Sequence, residues 1–144
     1  MNYFSVTLDI APIPKGRPRM TRRGHTYTPA RTRQWETAAS LIIRASLGSS
    51  EPFDMPVRVT ATFICARPVK AHAGAGEERY RKHTRPDLDN LVKALLDAAS
   101  NAQVWTDDSR VTELVASKVY GKKGERPHII FEVEEMERAV VHTV

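Results

Sequence analysis

The stretch Arg85-Pro86-Asp87-Leu88-Asp89-Asn90-Leu91-Val92-Lys93 sets two carboxylates one residue apart, with a lysine four residues after the second. A second acidic pair, Asp107-Asp108, follows Trp105-Thr106. Carboxylates are the hard oxygen ligands that Mg2+ prefers, and that ion is usually held by one or two of them plus substrate phosphate and water. A cation held this way can polarise a phosphodiester, stabilise a leaving oxygen and lower the pKa of an attacking water. Lys93 lies one helical turn beyond Asp89, placed either to hold a phosphate or to pair with that carboxylate.

A bland account of the same residues also exists. Aspartates near a helix start are favoured by capping and by the helix dipole. Asp107-Asp108 reads equally as a turn. Other chemistries find less support. His25, His72, His83, His128 and His142 are scattered, with no His-x-x-x-His spacing for a metal. No serine stands in a nucleophile elbow. Gly74 and Gly76 do not match a phosphate-binding P-loop.

The elements that must carry these residues follow from periodicity. Phe4, Val6, Leu8 and Ile10 alternate with polar residues, predicting a half-buried strand over 3–10. Thr28 as N-cap and Pro29 at the first helical position predict a helix that ends at Gly48. Its inward face is expected at Trp35, Ala38, Ala39, Ile42 and Ala45. Trp35 reads as core rather than as a base-stacking platform. A second strand starts at Pro56, with Val57, Val59, Ala61, Phe63 and Cys65 on one face. Leu88, Leu91, Val92, Leu95, Leu96 and Ala99 then give a strong helical face, with Asp87 as N-cap. A strand over 111–120, a turn at Gly121-Lys122-Lys123-Gly124 and a strand through Ile129, Phe131 and Val133 complete the chain, with Glu132 and Glu134 on the outer face. The order is β-α-β-α-β-β, an α+β fold with helices packed on a mixed sheet.

For the two acidic pairs to share a site, the chain must turn back after this helix. A helix over 87–100 is about 20 Å long. Residues 101–108 cover roughly 26 Å when extended. The chain can therefore just return Asp108 to the helix start if residues 101–108 are nearly extended; the spacing permits a shared site without requiring one.

The chain has 144 residues and a formal net charge of +5. That length suggests one domain over 1–144. No apolar run approaches the roughly 18 residues of a membrane helix. Cys65 is the only cysteine, so neither an internal disulfide nor a cysteine metal cage is available. The N-terminus lacks the pattern of a signal peptide, and a cytoplasmic protein is expected. From Lys15 to Arg44 there are eight basic residues and one acid, and from Arg67 to Arg85 six basic residues and two acids. Residues 12–27 and 66–86 read as basic loops, mobile when free. Lys15, Arg17, Arg19, Arg22 and Arg23 in the first, with Arg81, Lys82 and Arg85 in the second, are candidates to grip a polyanion, nucleic acid being the commonest. A solvated basic surface is the alternative.

The run Arg85 to Ala94, with Leu96-Asp97-Ala98 and then Trp105-Thr106-Asp107-Asp108, closely resembles the signature of the RusA-type Holliday-junction resolvases. These are small endodeoxyribonucleases of phage and prophage origin. The likeness extends more weakly through the first strand, loop 12–23 and the strands at 111–134. It implies a homodimer that binds four-way junction DNA and cuts it with Mg2+, or Mn2+ as substitute, by paired nicks in opposing strands. It implies that Asp87, Asp89 and Asp108 are the metal-binding catalytic carboxylates and Lys93 the essential lysine, with Asp107 as a neighbouring acid. No membrane and no small-molecule cofactor is expected. The chain departs from the family pattern in a longer loop at 66–84 and an arginine-rich stretch near residue 20, so cleavage-sequence preference does not carry over. Two other functions compatible with the residues are a non-catalytic nucleic-acid-binding protein whose acids cap a helix, and a metal-dependent nuclease for flaps or single strands.

Overall fold

Alternation at Phe4, Val6 and Leu8 buries one face of the first strand and leaves Tyr3, Ser5 and Thr7 exposed. The computed structural model describes residues 2–142. Its elements in order are β1 (Tyr3–Leu8), β2 (Arg19–Met20), β3 (Thr26–Tyr27), α1 (Ala30–Leu47), β4 (Val57–Cys65), β5 (Tyr80–Arg81), α2 (Leu88–Asn101), β6 (Val111–Tyr120) and β7 (His128–Glu135). Single 3-10 turns lie at Ala73–Ala75 and Asp108–Arg110. The expected order of six main elements holds, and three two-residue strands are added to it.

Five strands make one mixed sheet in the order β1-β7-β4-β6-β5. β7 is antiparallel to β1 and β4, pairing Val6 with Phe131 and Ala61 with Phe131 on its two sides. Both contacts put buried residues on the same face, which is what a period of two requires. β4 and β6 are parallel, pairing Ala61 with Ala116. Parallel neighbours need a crossover, and α2 supplies it, so the helix runs antiparallel to both strands. Leu91, Leu95, Ala98 and Ala99 bury its strong apolar face. Phe131 sits at the centre of the core, with Phe4 and Trp105 edge-on to it at 6.3 and 6.4 Å. Trp35 is buried and donates its indole N–H to the Ala11 carbonyl, as a core residue.

Several local expectations are corrected. α1 begins at Ala30 with Pro29 in the cap position, and Thr28 makes no capping bond. Its buried residues are Thr32, Trp35, Ala39, Ile43 and Leu47. Ala38 and Ala45 are exposed and Ile42 is only half-buried. The inward stripe follows i, i+4 steps, which drift around the helix relative to the expected face. Three prolines do not keep residues 12–27 free of regular structure, because β2 and β3 form a ribbon turned at Gly24 with φ of +83°. Only glycine adopts that conformation without strain. Residues 66–86 are also built: β5 pairs with the end of β6, and Arg79 grips Glu125 through two hydrogen bonds. Cys65 is half-buried, while its neighbour Ile64 is fully buried.

The largest correction concerns the return path. α2 ends at Asn101, and Gln103 takes a left-handed conformation with φ of 62°. The chain then passes Trp105 alongside Phe53, just before β4, in a parallel bridge. Burial of Val104 and Trp105 anchors this segment at the end of the sheet where the parallel strands begin. Residues 101–108 therefore stay at the far end of α2. It is β6 that returns, and its Lys118 reaches the start of the helix.

Candidate active site

Asp87 occupies the N-cap position of α2, and its extended backbone is suited to that role. Its side chain nevertheless makes no capping hydrogen bond. Asp89 stands in the first turn, and its Oδ1 accepts from the Asn90 N–H at 3.0 Å. Both residues are exposed. Leu91, Val92 and Leu95, fully buried or nearly so, anchor the helix beneath them. Lys93 is exposed on the next turn, and among the described residues it makes no salt bridge with a carboxylate. The two carboxylates and the lysine thus point to solvent, with most of their bonding capacity unused.

The segment leading into α2 is fixed from behind. Lys118 donates to the Thr84 and Pro86 carbonyls, both at 2.6 Å. Lys82 donates to Thr84 Oγ1 and to the Tyr120 hydroxyl, with its ammonium 4.6 Å from the Tyr120 ring centre. Hydrogen bonds from Thr84 and Lys82 favour the phenolate and draw the Tyr120 pKa below its ordinary value. These residues sit at the closing end of β6, and only the sheet topology brings them under the motif.

Beside Asp87 opens a cleft of about 740 Å3 whose walls include Arg17, Arg31, Arg85 and Asn90. Arg31 is the residue that reading the sequence left out. It lies in the first turn of α1, and its signal was its place off the apolar face of that helix. The candidate basic residues divide by their contacts. Arg17, Arg19, Arg22, Arg23, Arg81 and Arg85 are exposed. Lys15 is instead engaged with Glu36 at 2.6 Å and Asp97 at 3.0 Å. Burial works against its ammonium, but the hydrogen bonds to Glu36 and Asp97 prevail and raise its pKa. Lys15 N–H also donates to the Asn90 carbonyl, and Gly16 N–H to Thr32 Oγ1. A Cβ on Gly16 would meet that oxygen at 2.6 Å, so glycine is required for the close approach. The first basic loop is therefore pinned at its root, while its arginines project.

Asp107 and Asp108 lie at the other end of α2. Asp107 accepts from the Ser109 N–H at 2.9 Å, and hydrogen bonding by the Ser109 side chain, followed by this N–H, lowers its pKa. Asp108 opens the 3-10 turn and is exposed. The neighbouring Arg110 pairs with Asp54 at 3.0 Å. A helix of 14 residues separates the two acidic sets, about 20 Å along its axis. Among the described residues no three His, Cys, Asp or Glu side chains converge as a metal cage. One chain thus offers Asp87 and Asp89 as a pair of oxygen ligands beside a basic cleft. That donor set fits Mg2+, which needs only one or two carboxylates when phosphate and water fill the remaining positions.

No helix among the described residues is long and apolar enough to cross a membrane. Residues 9–134 match the family model described as endodeoxyribonuclease RusA. The chain is 31% identical over 128 residues to the crossover junction endodeoxyribonuclease RusA of Escherichia coli (strain K12), covering 88% of this chain and 91% of that one. The enzyme of the same name from Enterobacteria phage 82 matches with the same identity and coverage. YqaN of Bacillus subtilis (strain 168) is 29% identical over 131 residues, covering 85% of this chain and 92% of that protein. A family match over most of the sheet and both acidic sets, joined to relatives above 30% identity along nearly the whole chain, places this protein in the endodeoxyribonuclease RusA family.

Proposed function

We propose that this protein is a divalent-cation-dependent endodeoxyribonuclease that resolves Holliday junctions, as a homodimer, by paired nicks in opposing strands. One observation carries the reading. Asp87 stands exposed, without a capping bond, on the wall of a cleft lined by Arg17, Arg31 and Arg85, and Asp89 is exposed in the first turn of the same helix. Carboxylates crowded beside arginines normally pair with them, and these do not. That leaves them free to hold a cation against a phosphate that the arginines bind.

Asp87 and Asp89 would hold Mg2+, with Mn2+ as substitute. When bound, the ion supplies polarisation of the phosphodiester and a lowered pKa for water. Arg17, Arg31 and Arg85 seat the backbone phosphates of the junction arms, which provide most of the affinity without reading sequence. Lys93, which makes no ion pair among the described residues, neutralises charge that develops on the scissile phosphate. Lys118 holds the Thr84 and Pro86 carbonyls so that Asp87 cannot swing away. The rival reading, in which the acids merely cap a helix on a non-catalytic binding protein, loses support because Asp87 caps nothing.

The test is a synthetic four-way junction incubated with the full chain, with and without Mg2+, beside linear duplex and flap substrates. Paired nicks in the junction are expected only with the metal. Asp89→Asn is expected to keep junction binding and lose cutting. A wild-type chain that binds the junction but leaves it intact in Mg2+ and Mn2+ would overturn the proposal. Preference for the flap would reassign the substrate.

A further inference from the structure

We propose that the cleft formed by residues 72–83 takes one unpaired base of the bound DNA, beside the phosphate gripped at Asp87, and favours a base that carries an exocyclic amino group. The inference rests on the DNA-binding half of the function proposed above and is independent of cutting.

The polar side chains of this segment divide into those spent on its shape and those left over. Arg67 donates to the Gly76, Glu78 and Gly121 carbonyls, and Arg79 to both Glu125 oxygens. These two arginines hold the loop. His72, Glu78, Arg81 and His83 are exposed instead. Among the described residues neither Glu78 nor Arg81 forms an ion pair, although basic and acidic neighbours surround both. All four line a cleft of about 660 Å3, with Tyr80 in its wall. That volume is in the range that small ligands fill.

An aromatic ladder leads into the cleft. The Tyr80 ring lies 4.8 Å from the Tyr120 ring, and the His72 ring 6.1 Å from Tyr80. The Arg67 guanidinium stands 5.4 Å from the centre of Tyr80, and the His72 N–H donates to the Tyr80 hydroxyl at 3.3 Å. Gly74 backs the last ring: a Cβ there would stand 3.0 Å from His72 Nε2. The ladder is therefore held at its inner rungs and ends on an exposed imidazole. Every base presents a π face, so such a ring is a stacking platform for any of them. The Arg81 guanidinium adds a flat cation in the same cleft, suited to a π face as well.

Glu78 selects the occupant. A backbone phosphate would meet its carboxylate as a like charge. A base meets it as an acceptor, for the exocyclic amino group of adenine, cytosine or guanine. Thymine has no such group.

Placement ties the cleft to the acids. Arg81 pairs with Val119, and the adjoining Lys118 holds the Thr84 and Pro86 carbonyls. Three residues separate His83 from Asp87, so the two stand at most about 13 Å apart. A duplex strand advances 3.4 Å per nucleotide, which puts the captured base within about four nucleotides of the phosphate at Asp87. A base leaves its pair at least cost where pairing is already disturbed, as at a branch point.

The test is a walk of single abasic sites through the branch of a labelled four-way junction, bound by the full chain in EDTA so that nothing is cut. One position is expected where loss of the base weakens binding about 10-fold. Thymine at that position should also weaken binding, and removal of the opposing base should tighten it. His72→Ala is expected to bind the intact junction about 10-fold more weakly and to lose nothing further on the sensitive abasic junction. Glu78→Gln should bind thymine there as well as adenine. A walk with no sensitive position overturns the proposal, as does a position where His72→Ala loses as much as wild type. Saturable binding of free dAMP at the cleft, with a flat walk, would assign it to a free nucleotide and overturns the proposal equally. A flat walk beside normal metal-dependent nicking removes the base pocket and leaves the nuclease reading standing. A sensitive position in a chain that cuts nothing keeps the pocket and removes the nuclease.

Discussion

Asp87 stands where a helix wants a capping side chain, and it withholds one. A capping aspartate aims its oxygens back at the N–H groups of the first turn. This one makes no such bond, the Asn90 N–H going instead to Asp89 Oδ1, and it sits at the cleft beside Arg17, Arg31 and Arg85. Stability and function therefore separate at this residue. Asp87→Asn is expected to leave the urea unfolding midpoint unchanged, because no folded-state bond is lost. The same change is expected to reduce Mg2+-dependent nicking at least roughly 100-fold. A shifted midpoint with normal nicking would return the residue to a structural role. Lys118 makes the complementary case. It is half-buried, and its two bonds to the Thr84 and Pro86 carbonyls set the backbone that presents Asp87. Lys118→Met is expected to raise the Mg2+ concentration for half-maximal nicking by roughly 10-fold or more while junction affinity holds. Lys118→Arg, which can still donate to both carbonyls, should recover part of the loss. An unchanged metal requirement in the methionine variant would remove the positioning role.

Among the elements, the segment joining β4 to α2 shows how a long basic loop is held. Arg79 donates to both Glu125 oxygens, and this bond holds the carboxyl down to about 2 from an ordinary 4.5. Arg67 adds bonds to the carbonyls of Gly76, Glu78 and Gly121. A depressed acid contributes stability above its unfolded pKa and loses it as pH falls through the folded value. Arg79→Ala is thus expected to be less stable than wild type above pH 4.5, by about 0.5–1 kcal/mol for a partly exposed pair. The gap should close as the pH approaches about 2, in urea titrations run side by side. A gap that persists at pH 2 would mean the arginine acts through packing alone. Sequence patterns made most elements legible. Alternation identified β1, β4 and β7, and the spacing of Leu88 to Ala99 identified α2. The clamps on the loop were not legible, since Arg79 and Glu125 are far apart in the chain. Nor was the position of Asp108. Residues 101–108 and 111–120 both read as extended, and either could have made the return to the helix start. The choice rests on Val104 and Trp105, which bury at the far end of the sheet and release the chain only into β6. Single-chain spacing arguments count reach and cannot see such an anchor.

Over the whole molecule the basic residues fall into two kinds, and a net charge of +5 hides the difference. Arg17, Arg19, Arg22, Arg23, Arg31, Arg81 and Arg85 project into solvent, and three of them wall the cleft at Asp87. Lys15 is spent on Glu36 and Asp97, where it ties the loop root to α1 and α2. Only charges that neutralise phosphates release counterions, so only these enter the salt dependence of binding. Junction affinity should therefore fall steeply with salt, and each lost phosphate contact should flatten the slope of log K against log salt by about 0.9. A dimer carries every substitution twice. Arg31→Ala and Arg17→Ala are thus each expected to flatten the slope by about two for the proposed dimer, whatever the arm sequences. Lys15→Ala is expected to leave the slope nearly unchanged and to lower the unfolding midpoint, because its ammonium faces carboxylates and not DNA. Fluorescence anisotropy with a labelled junction, titrated at several salt concentrations, reads all three. A flattening of about one for Arg31→Ala would mean that a single subunit engages the junction. Equal flattening from Lys15→Ala would show that its ion pairs open when DNA binds. No flattening from Arg17→Ala and Arg31→Ala would place the DNA path away from this cleft, and with it the case for Asp87 as the site of cutting.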